Sequence, residues 1–205
     1  MDLKLGHTQA IIDEATKSGL LRNELAYVLA TAYWETARTM RPVKEAYWLN
    51  EVWRKNNLRY YPWYGRGYVQ LTWETNYKKA AQKLGIPFDK NPDLALDAVH
   101  AAKVIIRGMK EGWFTGKKLS DYITLQKSDY VNARRIVNAM DKAAEIAHLA
   151  RQYEKDLIRI GYGVGQAQAA PHVIVDNPGV LVGLEPKPSV WASLGTLIAS
   201  IFKRG

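Results

Sequence analysis

Glu35 is the carboxylate with the most suggestive setting in this 205-residue chain. It follows Val28 by seven residues and Ala32 by three, so on a helix it projects from the apolar stripe, beside Trp34 and near the helix C-terminus. Burial disfavours the charged form of a carboxyl, and a carboxyl that keeps its proton is what a general acid for glycosidic cleavage needs. Glu45 and Glu51 lie on the following segment, and either can supply the second carboxylate of an acid/base pair. No Ser/His/Asp arrangement, GxSxG motif or P-loop competes with the pair, and Gly65-Arg66-Gly67 is too short for a phosphate cradle. The chain has no cysteine, and its four histidines (7, 100, 148 and 172) form no HExxH-like pattern. Thiolate chemistry, a disulfide framework and Cys-based zinc sites are thereby excluded, and neither a metal nor a cofactor is expected.

Ten of the 22 aromatic residues fall between Tyr47 and Tyr77, several of them in a stretch that reads as exposed loop. Flat amphipathic rings suit the apolar faces of sugars, and with Arg54, Lys55, Arg59 and Arg66 interleaved they also suit nucleobases. Lys and Arg number 29 against 20 Asp and Glu, a balance that favours an anionic partner. With 47% hydrophobic and 24% charged residues the composition is otherwise globular, excluding wholesale disorder, collagen and coiled coil.

The elements that must position these groups are mostly helical. His7 to Ser18, stopped by Gly19, reads as one helix; Asn23 caps a second that contains Glu35. A third is expected over 44–54, followed by a loop over 55–67 broken by Pro62, Gly65 and Gly67. Residues 68–71 are the best strand candidate, followed by a helix capped by Thr72 and ended at Gly85. Asn91-Pro92-Asp93 opens another helix, Ser120 or Ser128 can cap further segments, and Asp141 precedes a long one. Composition breaks near Gly161. The domains are therefore drawn as a catalytic body over 1–162, a Gly/Ala/Pro-rich linker over 163–189, and an apolar segment over 190–205 that ends in Lys203 and Arg204. The uncharged run 190–202 spans roughly 20 Å as a helix, too short to cross a bilayer comfortably alone, so it is read either as a tail that packs on its own domain or frays, or as a membrane-surface or membrane-embedded helix.

Four motifs carry a family resemblance. Residues 32–37 (AYWETA) resemble the His-Glu-Thr segment around the catalytic acid of family 19 glycoside hydrolases, chitinase-like enzymes of the lysozyme superfamily. Residues 64–77 (YGRGYVQLTWETNY) are very similar to that family's YGRGPIQLSWNYNY stretch; 91–94 (NPDL) and 133–138 (ARRIVN) resemble two later segments in the same order. Together they span roughly residues 25–160. Trp34 stands where plant members have His, Ala139 follows Asn138 where the family has Gly, and ten residues separate Glu35 from Glu45, fewer than in plant chitinases. The short chain, lacking cysteine and a signal peptide, looks most like phage and prophage endolysins.

The resemblance implies a mainly α, α+β lysozyme-like fold: a helical bilobal domain with a small β element and a central cleft. Glu35 would be the general acid and Glu45 the base that activates water, with Glu51 the fallback, and Thr72 would help to hold that water. Gln70, Asn76 and Asn138 match substrate-binding positions; Tyr61, Tyr64 and Arg66 are candidates from the cleft-lining loop. Family members invert the anomeric centre, which needs carboxyls roughly 6.5–9.5 Å apart. The expected activity is hydrolysis of the β-1,4 bond between N-acetylmuramic acid and N-acetylglucosamine in bacterial peptidoglycan. The protein is expected to be a monomer held in the host bacterial cytoplasm until release to the periplasm and cell wall. A chitinase is the alternative. A nucleic-acid-binding protein is the rival from another class, and no RNP1, KH motif or basic helical stripe supports it.

Overall fold

The computed structural model describes residues 1–163, and helix α2 (Arg22–Glu35) is the element on which the rest is built. The readings made for 164–205, the linker beyond Gly163 and the apolar segment, lie outside the described residues. Leu25, Ala26, Tyr27, Val28, Leu29, Ala30 and Ala32 are all fully buried, so α2 is apolar all round and not striped. Its start is satisfied by Glu24, which accepts from the Leu21 amide at 2.9 Å. Asn23 does not cap this helix as expected; it lies inside it, and its buried amide donates to the Thr124 carbonyl and the Ser128 hydroxyl at 2.7 and 2.9 Å.

Three helices wrap α2: α1 (Thr8–Lys17), α5 (Ala98–Glu111) and α6 (Ala143–Arg159). Each contributes one apolar stripe, such as Ile146, Ala150, Tyr153 and Leu157 on α6. Helix α5 starts at Asp97, whose carboxylate accepts from the Val99 and His100 amides, and stops at Gly112 in a left-handed conformation. The helix expected from Asn91 is thus broken in two, a 3-10 turn over Pro92–Leu96 and then α5. Helix α6 begins two residues after Asp141, with Lys142 as its cap.

A second, smaller lobe holds α3 (Glu51–Asn57), α4 (Glu74–Leu84) and the antiparallel pair β1 (Val43–Lys44) and β2 (Arg66–Gly67), in register Val43↔Gly67 and Lys44↔Arg66. The strand expected over 68–71 is instead a turn that folds back on β2, closed by hydrogen bonds between Arg66 and Leu71 in both directions. Helix α3 starts at Glu51 and not near 44, because Asn50 caps it by accepting from the Trp53 amide at 2.8 Å. Trp73, not Thr72, is the residue before α4, and Gly85 ends that helix as expected. Ser120 lies within a 3-10 turn over Leu119–Asp121 and caps nothing there; Lys118 precedes it.

Candidate active site

Glu35 is the last residue of α2, 8% exposed. The chain leaves the helix through left-handed backbone at Ala37, Arg38 and Met40, held by the Thr36 hydroxyl, which donates to the Ala32 carbonyl and accepts from the Met40 amide. A carboxyl at this negative end of a helix lacks backbone donors, and Arg134 provides the partner. Arg134 is 1% exposed, donates from Nη1 to Glu35 Oε1 at 2.7 Å, and is braced by a bond from Nε to the Asp141 carbonyl at 3.0 Å. One Glu35 oxygen is therefore fixed. Among the described residues Oε2 has no such partner.

Glu45 follows β1 directly and is 3% exposed. Its backbone amide donates to the Gly65 carbonyl at 2.7 Å, and the Gly65 amide returns a bond to its Oε2 at 2.8 Å. The Tyr60 hydroxyl donates to its Oε1 at 2.6 Å, and Arg54 ties down the Glu45 and Ala46 carbonyls at 2.8 Å each. Burial, then the Glu45 bond and its charge, push the Tyr60 phenol well above its ordinary value, so it remains a donor. Gly65 lets the Gln70 side chain lie close: a Cβ there would sit 2.5 Å from Gln70 Oε1 and 3.2 Å from its Cβ, so that side chain would have to shift. Gln70 itself sits in left-handed backbone and donates to the Val43 carbonyl at 3.2 Å, which turns the 68–71 segment toward Glu45.

These elements meet at a cavity of about 160 Å³ lined by Glu35, Glu45, Val69, Gln70, Thr72, Val137 and Asn138. The end of α2 and the segment before α6 form one wall, the hairpin and the 69–72 turn the other. Five of the nine site residues expected from sequence thus share one space. The Thr72 hydroxyl donates to the Gln70 carbonyl at 2.7 Å, which leaves its lone pairs as acceptors. The Asn138 carboxamide oxygen accepts from the Ala139 amide at 2.8 Å, leaving its amide nitrogen as donor.

The other candidates sit elsewhere. Asn76 donates to the Thr72 carbonyl at 2.8 Å from the first turn of α4, supporting Thr72 from behind. Tyr64 and Arg66, read as cleft-lining, are interior groups outside the cavity wall. Arg66 donates to Asp93 and to the Pro62 and Tyr64 carbonyls, and its guanidinium lies 3.6 Å from the Tyr64 ring centroid. The Tyr64 hydroxyl donates to Glu51, and burial followed by that carboxylate pushes its phenol up to about 12 against the pull of Arg66. Tyr61 is half-buried with its ring 6.1 Å from that of Tyr64. Glu51, the fallback base, is exposed, bonded to Tyr64 and Arg54, and absent from the cavity. Of the aromatic run, Tyr64, Tyr68 and Tyr77 are core, whereas Tyr47, Trp48 and Trp73 are exposed. Among the described residues no cluster of His, Asp and Glu has metal-site geometry.

Two further residues, Arg134 and Tyr60, hold the carboxylates without standing out in the sequence: Arg134 lies inside the 133–138 motif and Tyr60 inside the aromatic run. Their pairings span 99 and 15 residues, distances at which no local pattern reports a contact.

The same architecture occurs in chitinase C from Streptomyces griseus, with a TM-score of 0.53 and 23% identity over 66% of this chain and 60% of that one. This chain shares the chitinase C fold. That α+β, lysozyme-like chitinase fold matches the expectation from sequence, mainly helical with one small two-stranded sheet. In sequence the chain is 34% identical over 90 residues to Chitinase 8 of Oryza sativa subsp. japonica, a match covering 42% of this chain. The chain spans about a third of that relative's length. No protein-family model matches it.

Proposed function

We propose that the protein is an inverting glycoside hydrolase of the chitinase-like type that cleaves β-1,4-linked N-acetylated amino-sugar polymers, with bacterial peptidoglycan as its substrate. The observation that carries this reading is the convergence of two buried carboxylates, Glu35 and Glu45, from different lobes on one cavity with Thr72 and Asn138. Inversion requires room for an attacking water between the base and the sugar, and both carboxylates line one cavity of about 160 Å³. Glu35 gives its proton to the leaving glycosidic oxygen as the C1–O bond breaks. Glu45 takes one proton from a water that attacks C1 from the opposite face, while Thr72 accepts a hydrogen bond from that water's other O–H, which remains as the new C1 hydroxyl. Both carboxyls end with their protonation exchanged and are reset by solvent.

Two facts pull on the substrate. Both relatives are named chitinases, which favours chitin as a second reading. The net charge of +9, with 26 Lys and Arg against 18 Asp and Glu in residues 1–160, favours an anionic wall polymer over neutral chitin. Sugar release from purified sacculi and from colloidal chitin, assayed side by side, decides between them. Faster release from sacculi is expected; release from chitin alone would replace peptidoglycan by chitin.

A further inference from the structure

Tyr27, Thr31 and Glu35 stand at i, i+4 and i+8 on α2, so their side chains follow one another along a single line of the helix, with about 5–6 Å between successive Cβ atoms. Tyr27 and Thr31 are fully buried. Apart from Asn23 at its start, the other buried positions of α2 are Ala, Val and Leu, which makes this line the polar seam of an apolar helix. A helical threonine commonly satisfies its hydroxyl by donating to the carbonyl one turn back, as Thr16 does to Ile12 at 2.9 Å and Thr36 to Ala32 at 2.7 Å. Thr31 does not. Its Oγ1 and the Tyr27 hydroxyl face each other without closing a hydrogen bond, and neither has one to any other described residue.

The surroundings of these hydroxyls are charged. Burial pushes the Tyr27 phenol well above its ordinary value; Arg134 and then Thr31 pull it back, while Glu35 and Tyr122 add to the rise. The phenol is held among these groups by its ring, which stacks on Tyr130 with centroids 6.0 Å apart and planes 7° from parallel. Arg134, itself buried, uses two of its five N–H donors on Glu35 and the Asp141 carbonyl. Leaving buried hydroxyls unpaired is costly, and interior waters sit where several such groups converge. We infer that Tyr27 and Thr31 form an internal water site behind Glu35, in which one bound water joins the two hydroxyls to the Glu35–Arg134 pair. Both are then positioning residues: substrate meets Glu35 from the cavity side, and the water holds the carboxyl and its arginine from the core side. That second step rests on the proposed glycosidase function; the water site itself does not.

The test counts long-lived internal waters in the full chain by magnetic relaxation dispersion of the water oxygen, and measures kcat and KM on soluble peptidoglycan strands, for the unsubstituted chain, Thr31→Val and Thr31→Ser. Valine keeps the shape and removes the hydroxyl; serine restores it. Thr31→Val is expected to lose one long-lived water and about tenfold in kcat with KM little altered, the scale of one hydrogen bond to a charged group, and Thr31→Ser to regain both. An idle hydroxyl behaves differently: exchanging it for a methyl removes a buried unpaired group, so the melting temperature rises while kcat and the water count stay unchanged. That result would overturn the site. A lost water with unchanged kcat would overturn the positioning role. Tyr27→Phe keeps the ring on Tyr130 and approaches the site from its other end, so it is expected to lose the same water and serves equally where Thr31→Val fails to fold. Strands left intact by the unsubstituted chain would overturn the glycosidase reading, and the water count alone would then decide the internal site.

Discussion

Tyr60 and Gly65 hold the two oxygens of Glu45 at 2.6 and 2.8 Å and so fix the proposed base in the cavity wall. Glu51 has the same chemistry and a comparable sequence position, but its oxygens are taken by Tyr64 and Arg54 on the exposed side of α3. Tyr60→Phe removes one of the hydrogen bonds to Glu45 without changing shape, so kcat is expected to fall about tenfold with KM little altered. Steady-state kinetics measure the split. An unchanged kcat in a folded variant would make Tyr60 merely a packing residue. At this scale the sequence made Glu35, Glu45, Gln70, Thr72 and Asn138 legible through motif and helical position. It also promoted Tyr64 and Arg66 to the cleft, because a polar or aromatic residue in a site motif looks the same whether it touches substrate or braces the turn beneath.

The hairpin of β1 and β2 is two residues per strand, far too short to be stable in isolation. Side chains clamp it. Asp93, at the 3-10 turn before α5, accepts from Arg66 at 2.7 Å and from Lys44 at 3.1 Å, one residue from each strand. Burial alone would raise the Asp93 carboxyl, but these two partners outweigh it and hold it below the usual carboxylate range. A carboxyl lowered in the native state adds stability above its unfolded value, and that stability is lost as pH falls through the native value. Asp93→Asn is therefore expected to lower the melting temperature at pH 7 by a few degrees at most, since the side chain is 51% exposed and well screened. The difference should shrink as pH falls below the ordinary aspartate range and through the lowered native value, and melting curves taken into acid check it. Long helices with strong periodicity, such as α1 and α6, could be read from the sequence. The expected 68–71 strand could not, because alternating Tyr, Val and Leu fit a buried turn as well as a ladder and the left-handed Gln70 is invisible in residue type.

At the scale of the whole molecule the positive charge and the apolar run belong to different parts of the chain. Residues 161–205 hold three basic and two acidic residues, so nearly all of the net positive charge resides in residues 1–160. We propose that 190–202, uncharged and followed by Lys203 and Arg204, associates with a membrane surface. Liposome flotation of the full chain against a chain ending at 186 is expected to move only the full chain to the lipid fraction; equal partitioning would retire the idea. No helix among the described residues is long and apolar enough to cross a membrane. The fold brings two carboxylates from separate lobes to one cavity, and the proposed activity stands or falls on that pair. Reducing-end release from purified sacculi by Glu35→Gln tests it most directly, because an amide keeps the shape and the Arg134 contact but has no proton to donate. A fall of about a hundredfold or more with an unchanged melting curve is predicted; wild-type release from a folded Glu35→Gln chain would contradict the mechanism.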